Sequence, residues 1–377
     1  MRVSCLQENL NKGLATVGRA VGVRTTLPIT NNVLLATDDA RLKLAATNLE
    51  IAITCWIGAK VEEEGSITVP ARLVTDYIGL LPNERVDLSL GPHGRNLELH
   101  CARSSTRISG MDAADFPPIP VVTDGMAASV EPELLRQAIA RVVFAAATED
   151  SRPVLTGVHA SFGGGVLTLA AADGFRLAVQ RSALQGKGAE PLEIIVPARA
   201  LQELSRLLGD QEEPVDLAVD KARTRVSFRL KSVELVSQLI QGTFPNYAQL
   251  IPSSHTTRAV VDARAFLSAT RRASVFARDG SGIVRFHIEP GEGASPGRML
   301  VSARAEEVGE NQDELDAAVT GDAAKIAFNS KYLMDVLGVF SEGQVALEMT
   351  TPSSPGVIRP VGSDDSTHVI MPMFVQW

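Results

Sequence analysis

The feature that most constrains this chain is that it repeats itself. Ile67-Thr68-Val69-Pro70-Ala71-Arg72-Leu73 returns as Ile194-Ile195-Val196-Pro197-Ala198-Arg199-Ala200, placing Val69 and Val196 127 residues apart. A looser third copy, Ile326-Ala327-Phe328-Asn329-Ser330-Lys331-Tyr332, sets Phe328 132 residues beyond Val196. Self-similarity at a fixed interval means that one folding unit is used several times. A chain of 377 residues also exceeds what one hydrophobic core usually organises. Three units, each near a third of the length, account for both facts.

Each copy reads as a short run of apolar, mostly β-branched residues that turns into a helix. Pro70 and Pro197 suit a first helical position, and Asn329 or Ser330 suits a cap. Other segments recur in phase: Ala45-Ala46-Thr47-Asn48-Leu49-Glu50 with Ala171-Ala172-Asp173-Gly174-Phe175-Arg176, and Asp115-Phe116-Pro117 with Thr243-Phe244-Pro245. Near the start of each unit an apolar stripe has helical spacing: Leu6, Leu10, Leu14, Val17 and Val21; then Leu135, Ile139 and Val142; then Phe266, Thr270, Ala273 and Phe276. The patterns predict helices over 8–24, 71–81, 132–147, 198–208, 263–278 and 330–340. Alternation at 86–90, 166–169, 215–219 and 345–349, broken by Gly and Asn, predicts antiparallel strands. Two helices covering one face of antiparallel sheet make an α+β unit. Linkers fall near 120–128 and 250–256, giving units 1–125, 126–252 and 253–377.

Composition then narrows the function. Hydrophobic residues at 45 % and charged residues at 21 % are the balance of an ordinary folded protein. Residues 1–10 lack a secretory leader's basic end and apolar run, and no stretch approaches the length of a membrane span, so a soluble cytoplasmic chain is expected. Cys5, Cys55 and Cys101 are far apart and odd in number, which suggests reduced, buried thiols and no zinc site. The net charge of −8, if spread evenly, argues against nucleic acid. It is not spread evenly: the six predicted helices sum to +8, leaving −16 for the rest. One face carrying the helices would be basic; the alternative is a set of merely solvated arginines.

Taken together, several separated segments resemble the bacterial DNA polymerase III beta subunit family, the sliding clamps, along essentially the whole chain. They are Thr26-Leu27-Pro28-Ile29 with Asn32, both Val-Pro-Ala-Arg segments, Ala113-Ala114-Asp115-Phe116-Pro117, Ala172-Asp173-Gly174-Phe175-Arg176-Leu177-Ala178, Phe244-Pro245-Asn246-Tyr247, Phe328-Asn329-Ser330-Lys331-Tyr332 and Met371-Pro372-Met373. The resemblance implies three like-folded clamp domains, each with two helices packed on antiparallel sheets. It implies a head-to-tail homodimeric ring around double-stranded DNA, helices lining the hole, with no cofactor, no metal and no membrane partner.

The same resemblance assigns residues. DNA contacts fall on Arg24, Arg72, Arg152 and Arg199, with Arg136, Arg141, Arg271 and Arg272 added by helix location. The dimer contact falls on Ile108 facing Val275 and Phe276. A groove for short peptides from the DNA polymerase III alpha subunit, the clamp loader and other proteins with clamp-binding motifs falls on Leu155, Ala172, Gly174, Phe175, Arg176, Leu177, Pro245, Leu250, Asn329, Tyr332, Ser353, Pro355, Val369, Met371, Pro372 and Met373. Three features depart from the family pattern: Glu149 stands where an uncharged amide is expected, Phe175 where some relatives have His, and the tail continues as Phe374-Val375-Gln376-Trp377.

For an enzyme, the sequence offers no assembled reaction centre. His93, His100, His159, His255, His287 and His368 are scattered, with neither a His-Glu-x-x-His pattern nor a Gly-x-Ser-x-Gly elbow. Gly163-Gly164-Gly165 lacks the Lys and hydroxyl of a phosphate loop and reads as a hairpin turn. Glu62-Glu63-Glu64 and Asp364-Asp365 read as solvated loops. The runner-up is a multi-domain metabolic enzyme whose site converges only in three dimensions, and a third option is a repeat scaffold unrelated to DNA.

Overall fold

The computed structural model describes residues 1–22, 27–91, 94–122, 125–149, 151–184, 191–277, 282–291, 296–305, 309–340 and 342–377. Six α-helices occur among them: α1 (Gln7–Val17), α2 (Ala71–Gly79), α3 (Pro132–Val142), α4 (Ala198–Leu207), α5 (Ala263–Ala277) and α6 (Ser330–Gly338). All six fall where the sequence places helices, but several are shorter than expected. α1 gives way to a 3-10 turn at Gly18–Ala20, because glycine is a poor helix former, and α3 and α4 also run out into 3-10 turns. Counted over the observed bounds the six helices carry a net charge of +5 rather than +8; Arg19 lies beyond α1, and Arg24 and Arg278 fall outside the described residues.

Leu6 corrects the first apolar stripe. It ends the strand Arg2–Leu6, whose burial alternates with Val3 and Cys5 inward, and Leu6 itself is 57 % exposed. Leu10, Leu14 and Val17 are buried as the helical spacing requires. The helix rides so close to its sheet that a Cβ on Gly13 would meet Leu44 Cδ1 at 2.6 Å. Pro70 stands one position earlier than expected, ending the strand Ser66–Pro70 just before α2. Asn329 does cap α6, its side chain accepting from the amides of Lys331 and Tyr332. Gly164 and Gly165 take positive φ in the turn joining Gly157–Gly163 to Val166–Ala172, as a tight hairpin demands. All three cysteines are buried free thiols.

The chain divides into two compact units, 1–135 with 199–239, and 136–198 with 240–377. Within them one strand-pairing plan occurs three times. The strand before the first helix pairs with the strand after the second: Arg2–Leu6 with Arg85–Leu90, Met126–Val130 with Val215–Val219, and Thr257–Asp262 with Gln344–Met349. The strand following the first helix pairs with the one leading into the second: Asn32–Asp38 with Ser66–Pro70, Gly157–Gly163 with Leu192–Pro197, and Ile283–Glu289 with Ala324–Asn329. Every pairing named is antiparallel, so the α+β repeat read from the sequence is the repeat the backbone follows.

Successive repeats are joined edge to edge. Val233–Gln238, last in its repeat, pairs with Ile51–Gly58 in the first unit, and Ser366–Ile370 pairs with Arg176–Ala183 in the second. The equivalent edges left over are Ser104–Ser109, bonded only to Asn96–Cys101, and the outer side of residues 309–317. That stretch bonds only to Gly297–Ala305, while Thr257–Asp262 takes over at 318–321. Among the described residues, both edges lack a second strand partner.

The core of the second unit has Phe266, Phe286 and Phe328 in sequential contact, and beside it lies His368. This ring is fully buried between Phe144 and Phe340, with Nε2 3.1 Å from Ser366 Oγ. Burial first, and the Arg141 charge second, push its pKa from 6.5 down to about 3. The folded chain therefore keeps His368 neutral, whereas the unfolded chain protonates it near pH 6.5. Stability is complete above that value and is lost as pH falls toward the folded pKa, at about 1.4 kcal/mol per pH unit. Urea unfolding between pH 7.5 and 5 is expected to reproduce this slope, and His368→Leu to flatten it by about one proton.

Candidate functional site

The site forms where the tight turn between strands Val166–Ala172 and Arg176–Ala183 meets the start of α6. Asp173 shapes the turn: its Oδ1 accepts from the amides of Phe175 and Arg176 at 2.9 and 3.0 Å, and Gly174 takes φ +95°, a conformation glycine favours. Arg176 is drawn under the turn. Its guanidinium donates to Asp173 Oδ2 at 2.9 Å, Asp335 Oδ2 at 2.6 Å and the Phe144 carbonyl at 2.6 Å. It also lies 4.5 Å from the Tyr332 ring centre and 5.5 Å from that of Phe144. A nearly buried guanidinium with carboxylate, carbonyl and aromatic partners is a rigid anchor. It fixes Tyr332, and Phe175 stacks on Tyr332 at 6.5 Å between centroids.

The C-terminal segment closes the arrangement. Met371 N–H donates to the Phe175 carbonyl and Met373 N–H to the Ala327 carbonyl, both at 2.8 Å. Below lies a small apolar floor of Ala170, Ala172, Leu177, Val179, Val357 and Val369, against which Tyr247 and Ile251 pack. Above it large apolar side chains stay in water: Phe175 58 %, Leu250 56 % and Met371 44 % exposed. Exposed apolar clusters beside a polar rim mark binding surfaces, and Met adds a surface that adapts to several ligands.

The expected groove residues therefore divide into two sets. Leu155, Ala172, Leu177 and Val369 are buried and act as support. Gly174, Phe175, Pro245, Leu250, Ser353 and Met371 are exposed, with Arg176, Tyr332, Asn329, Pro355, Pro372 and Met373 partly so. A cavity of about 200 Å³ gathers Phe175, Arg176 and Tyr332 with Glu149, Arg152, Asp173 and Lys331. Sequence reasoning missed Asp335 and Phe144 as Arg176's partners. Asp335 follows Tyr332 by three residues and shares its helix face, but nothing in the pattern names its partner.

The cationic positions are less uniform than expected. Arg24 lies outside the described residues. Arg72 is almost fully exposed, 3.7 Å from Asp76 one turn on, and Arg199 is exposed on α4. Arg152 instead folds onto the turn, donating to the Asp173 carbonyl at 3.2 Å, in the same cavity as Glu149. Arg141 donates to Gln180 and lies 5.9 Å from the Phe340 ring centre, so it is held by its own unit. Arg136 and Arg271 are exposed, and Arg272 is held by Asp313 at 2.6 Å. Val275 is 55 % exposed at the end of α5, with Phe276 half-buried and Ile108 buried.

Comparison with known proteins places this geometry. Models of the DNA polymerase III beta subunit match in chain order: its N-terminal domain over residues 1–120, its central domain over 129–246 and its C-terminal domain over 248–374. The chain is 32 % identical to the beta sliding clamp of Synechocystis sp. over 394 aligned positions, covering 99 % of each. It is 31 % identical to that of Staphylococcus aureus, covering 94 % of each. Among solved structures it is similar to the DNA polymerase sliding clamp of Bacillus subtilis, with a TM-score of 0.93, 27 % identity and all of both chains covered. It is similar too to a Pseudomonas aeruginosa sliding clamp bound to griselimycin, with a TM-score of 0.91, 30 % identity and full coverage of both.

Two substitutions separate anchor from surface. Arg176→Met strands Asp173 and Asp335 without their cation and is expected to cost about 3 kcal/mol in chemical unfolding. Phe175→Ala removes an exposed ring and is expected to change stability by no more than about 0.5 kcal/mol. Equal losses in both would show that Phe175 serves packing instead of recognition.

Proposed function

The chain belongs to the DNA polymerase III beta subunit family and has the function of a DNA sliding clamp, and from that premise we propose how it performs it. Two copies close head to tail into a ring around duplex DNA. The observation that carries this reading is the pair of unpartnered edges. Repeats within one chain join through a last strand paired with a fourth strand, and Ser104–Ser109 and residues 309–317 are the remaining members of that set. Joined between two copies, they repeat a contact the chain already makes twice, and two equal contacts close the figure.

Charge and apolar surface support the pairing. Arg107 lies on the first edge with Arg103 in the turn before it, and Glu310 and Asp316 lie on the second; within the chain Arg107 also pairs with Glu98, and Asp313 and Glu314 with Arg272 and Arg298. Phe276 Cε1 lies 3.9 Å from a Cβ built on Gly309, so Val275 and Phe276 offer an apolar patch beside the second edge. Ile108, buried in its own sheet, backs the first edge. The domain bounds that follow are 1–125, 126–252 and 253–377.

Inside the ring, Arg72 and Arg199, with Arg24, meet phosphates without reading bases, so no register along DNA is preferred. Arg136 and Arg271 join them. Arg152, which donates to the Asp173 carbonyl at 3.2 Å in the folded chain, is a further contact in this reading. Retention comes from enclosure rather than affinity, and the chain acts as a non-enzymatic tether. The groove of Phe175, Tyr332, Leu250 and Met371 takes short extended peptides from the DNA polymerase III alpha subunit, the clamp loader and other replication and repair proteins. No helix among the described residues is long and apolar enough to cross a membrane, which fits work on cytoplasmic nucleoid DNA.

Two outcomes are expected. Chain loaded by a clamp loader onto nicked circular DNA stays bound in gel filtration and is lost when the circle is linearised; equal retention on both forms refutes enclosure. Native mass gives two chains per particle at micromolar concentration, and Phe276→Asp shifts that population to single chains.

A further inference from the structure

We propose that the peptide groove continues, in this chain, into a second compartment walled by Trp377, and that this compartment takes an aromatic side chain of the same partner peptide, outside the part held at Phe175. The proposal rests on the groove reading above.

The compartment is a cavity of about 500 Å³, lined by Trp377, Pro352, Thr351, Lys325, Asp322 and His287 among others. That volume is in the range of sites that enclose a small ligand. Two chain segments link it to the groove. Thr351 and Pro352 lead into Ser353-Ser354-Pro355, and Thr351 Oγ1 lies 3.2 Å from Ser353 Oγ and 2.7 Å from Ser354 Oγ. The C-terminal segment bonds at Met371 and Met373, and beyond Met373 it makes no backbone–backbone hydrogen bond among the described residues. It is held again at its far end, where Lys325 Nζ lies 5.7 Å from the Trp377 ring centre. One strip of chain thus borders the groove at Met371 and the cavity at Trp377.

The lining selects the guest's chemistry. Asp322 and Lys325 oppose each other in sign, so the lining carries no net formal charge to favour an ionic side chain. What remains is an indole still 51 % exposed, a proline ring and threonine methyls. An indole with Lys325 on its ring and solvent on the rest of its surface favours an aromatic partner in stacked or edge contact. Phe374, 91 % exposed between the two anchors, lies along the path from one compartment to the other.

The test uses full-length protein and synthetic peptides copied from the clamp-binding segment of the host's DNA polymerase III alpha subunit. One peptide is the core segment, and others extend it at either end by about four residues, roughly 13 Å of extended chain, carrying either Phe or Ala. Calorimetry is expected to show a Phe extension at one end binding about 3- to 10-fold tighter than its Ala counterpart. That advantage disappears in Trp377→Ala and persists in Trp377→Phe. In a Trp56→Phe background, emission from Trp377 shifts only with the Phe extension. Equal affinity for Phe and Ala extensions overturns the proposal, as does an advantage that survives Trp377→Ala. Tighter binding of every peptide to Trp377→Ala also overturns it, because the indole would then be a plug. Failure of the core peptide to bind any variant would instead remove the groove itself.

Discussion

A β-strand at the edge of a sheet carries backbone amides and carbonyls that need partners, and everything else in this molecule is arranged around where those partners are found. Exposed edges left open invite pairing with another chain. Here the same join, a last strand of one repeat against a fourth strand of another, is made once in each compact unit. Three repeats in line can make only two such joins, so one edge of each kind is left over. Under the proposed head-to-tail ring, these are the two edges that a second copy would complete. In that proposed join Arg103 and Glu310, of opposite sign, would favour the specific pairing over indiscriminate stacking.

The helices follow from the sheets. Leu10, Leu14 and Val17 are buried on one side of α1, and Phe266, Ala269 and Ala273 on one side of α5, which leaves the opposite faces free for charge. The fixed arginines divide according to their neighbours. Arg176, Arg152 and Arg272 are hydrogen-bonded to a carboxylate or carbonyl and tied to the fold, whereas among the described residues the carboxylate near Arg72, Asp76 at 3.7 Å, is itself exposed. Arg72 and Arg199 stay in solvent, where a cation can meet phosphate without first giving up a buried partner.

Much of this was legible in the sequence. The recurrence of Val-Pro-Ala-Arg announced the repeat, alternation announced the strands, and Asn329 was one of two candidates for the cap it forms. What escaped was anything that depends on a partner distant in sequence. Leu6 fits a helical stripe and a strand equally well; its backbone pairing with Arg85, rather than its side chain, settled the matter. Nothing in the pattern around Arg152 and Arg141 says that Asp173 and Gln180, 21 and 39 residues away, engage them. Resemblance named the residues of the candidate groove, whereas the partner that anchors Arg176 had no sign in the sequence: Arg176 reaches Asp335 across 159 residues. The unpaired edges were invisible for the same reason, since a strand's sequence does not say which side lacks a neighbour.

Completion of the sheet between two copies makes the most direct measurement one of backbone amides. Hydrogen–deuterium exchange followed from nanomolar to micromolar protein should show amides in residues 104–109 and 309–317 becoming protected together, over the concentrations at which native mass doubles. If those amides exchange freely in particles that already contain two chains, the copies meet elsewhere and the account of ring closure is wrong.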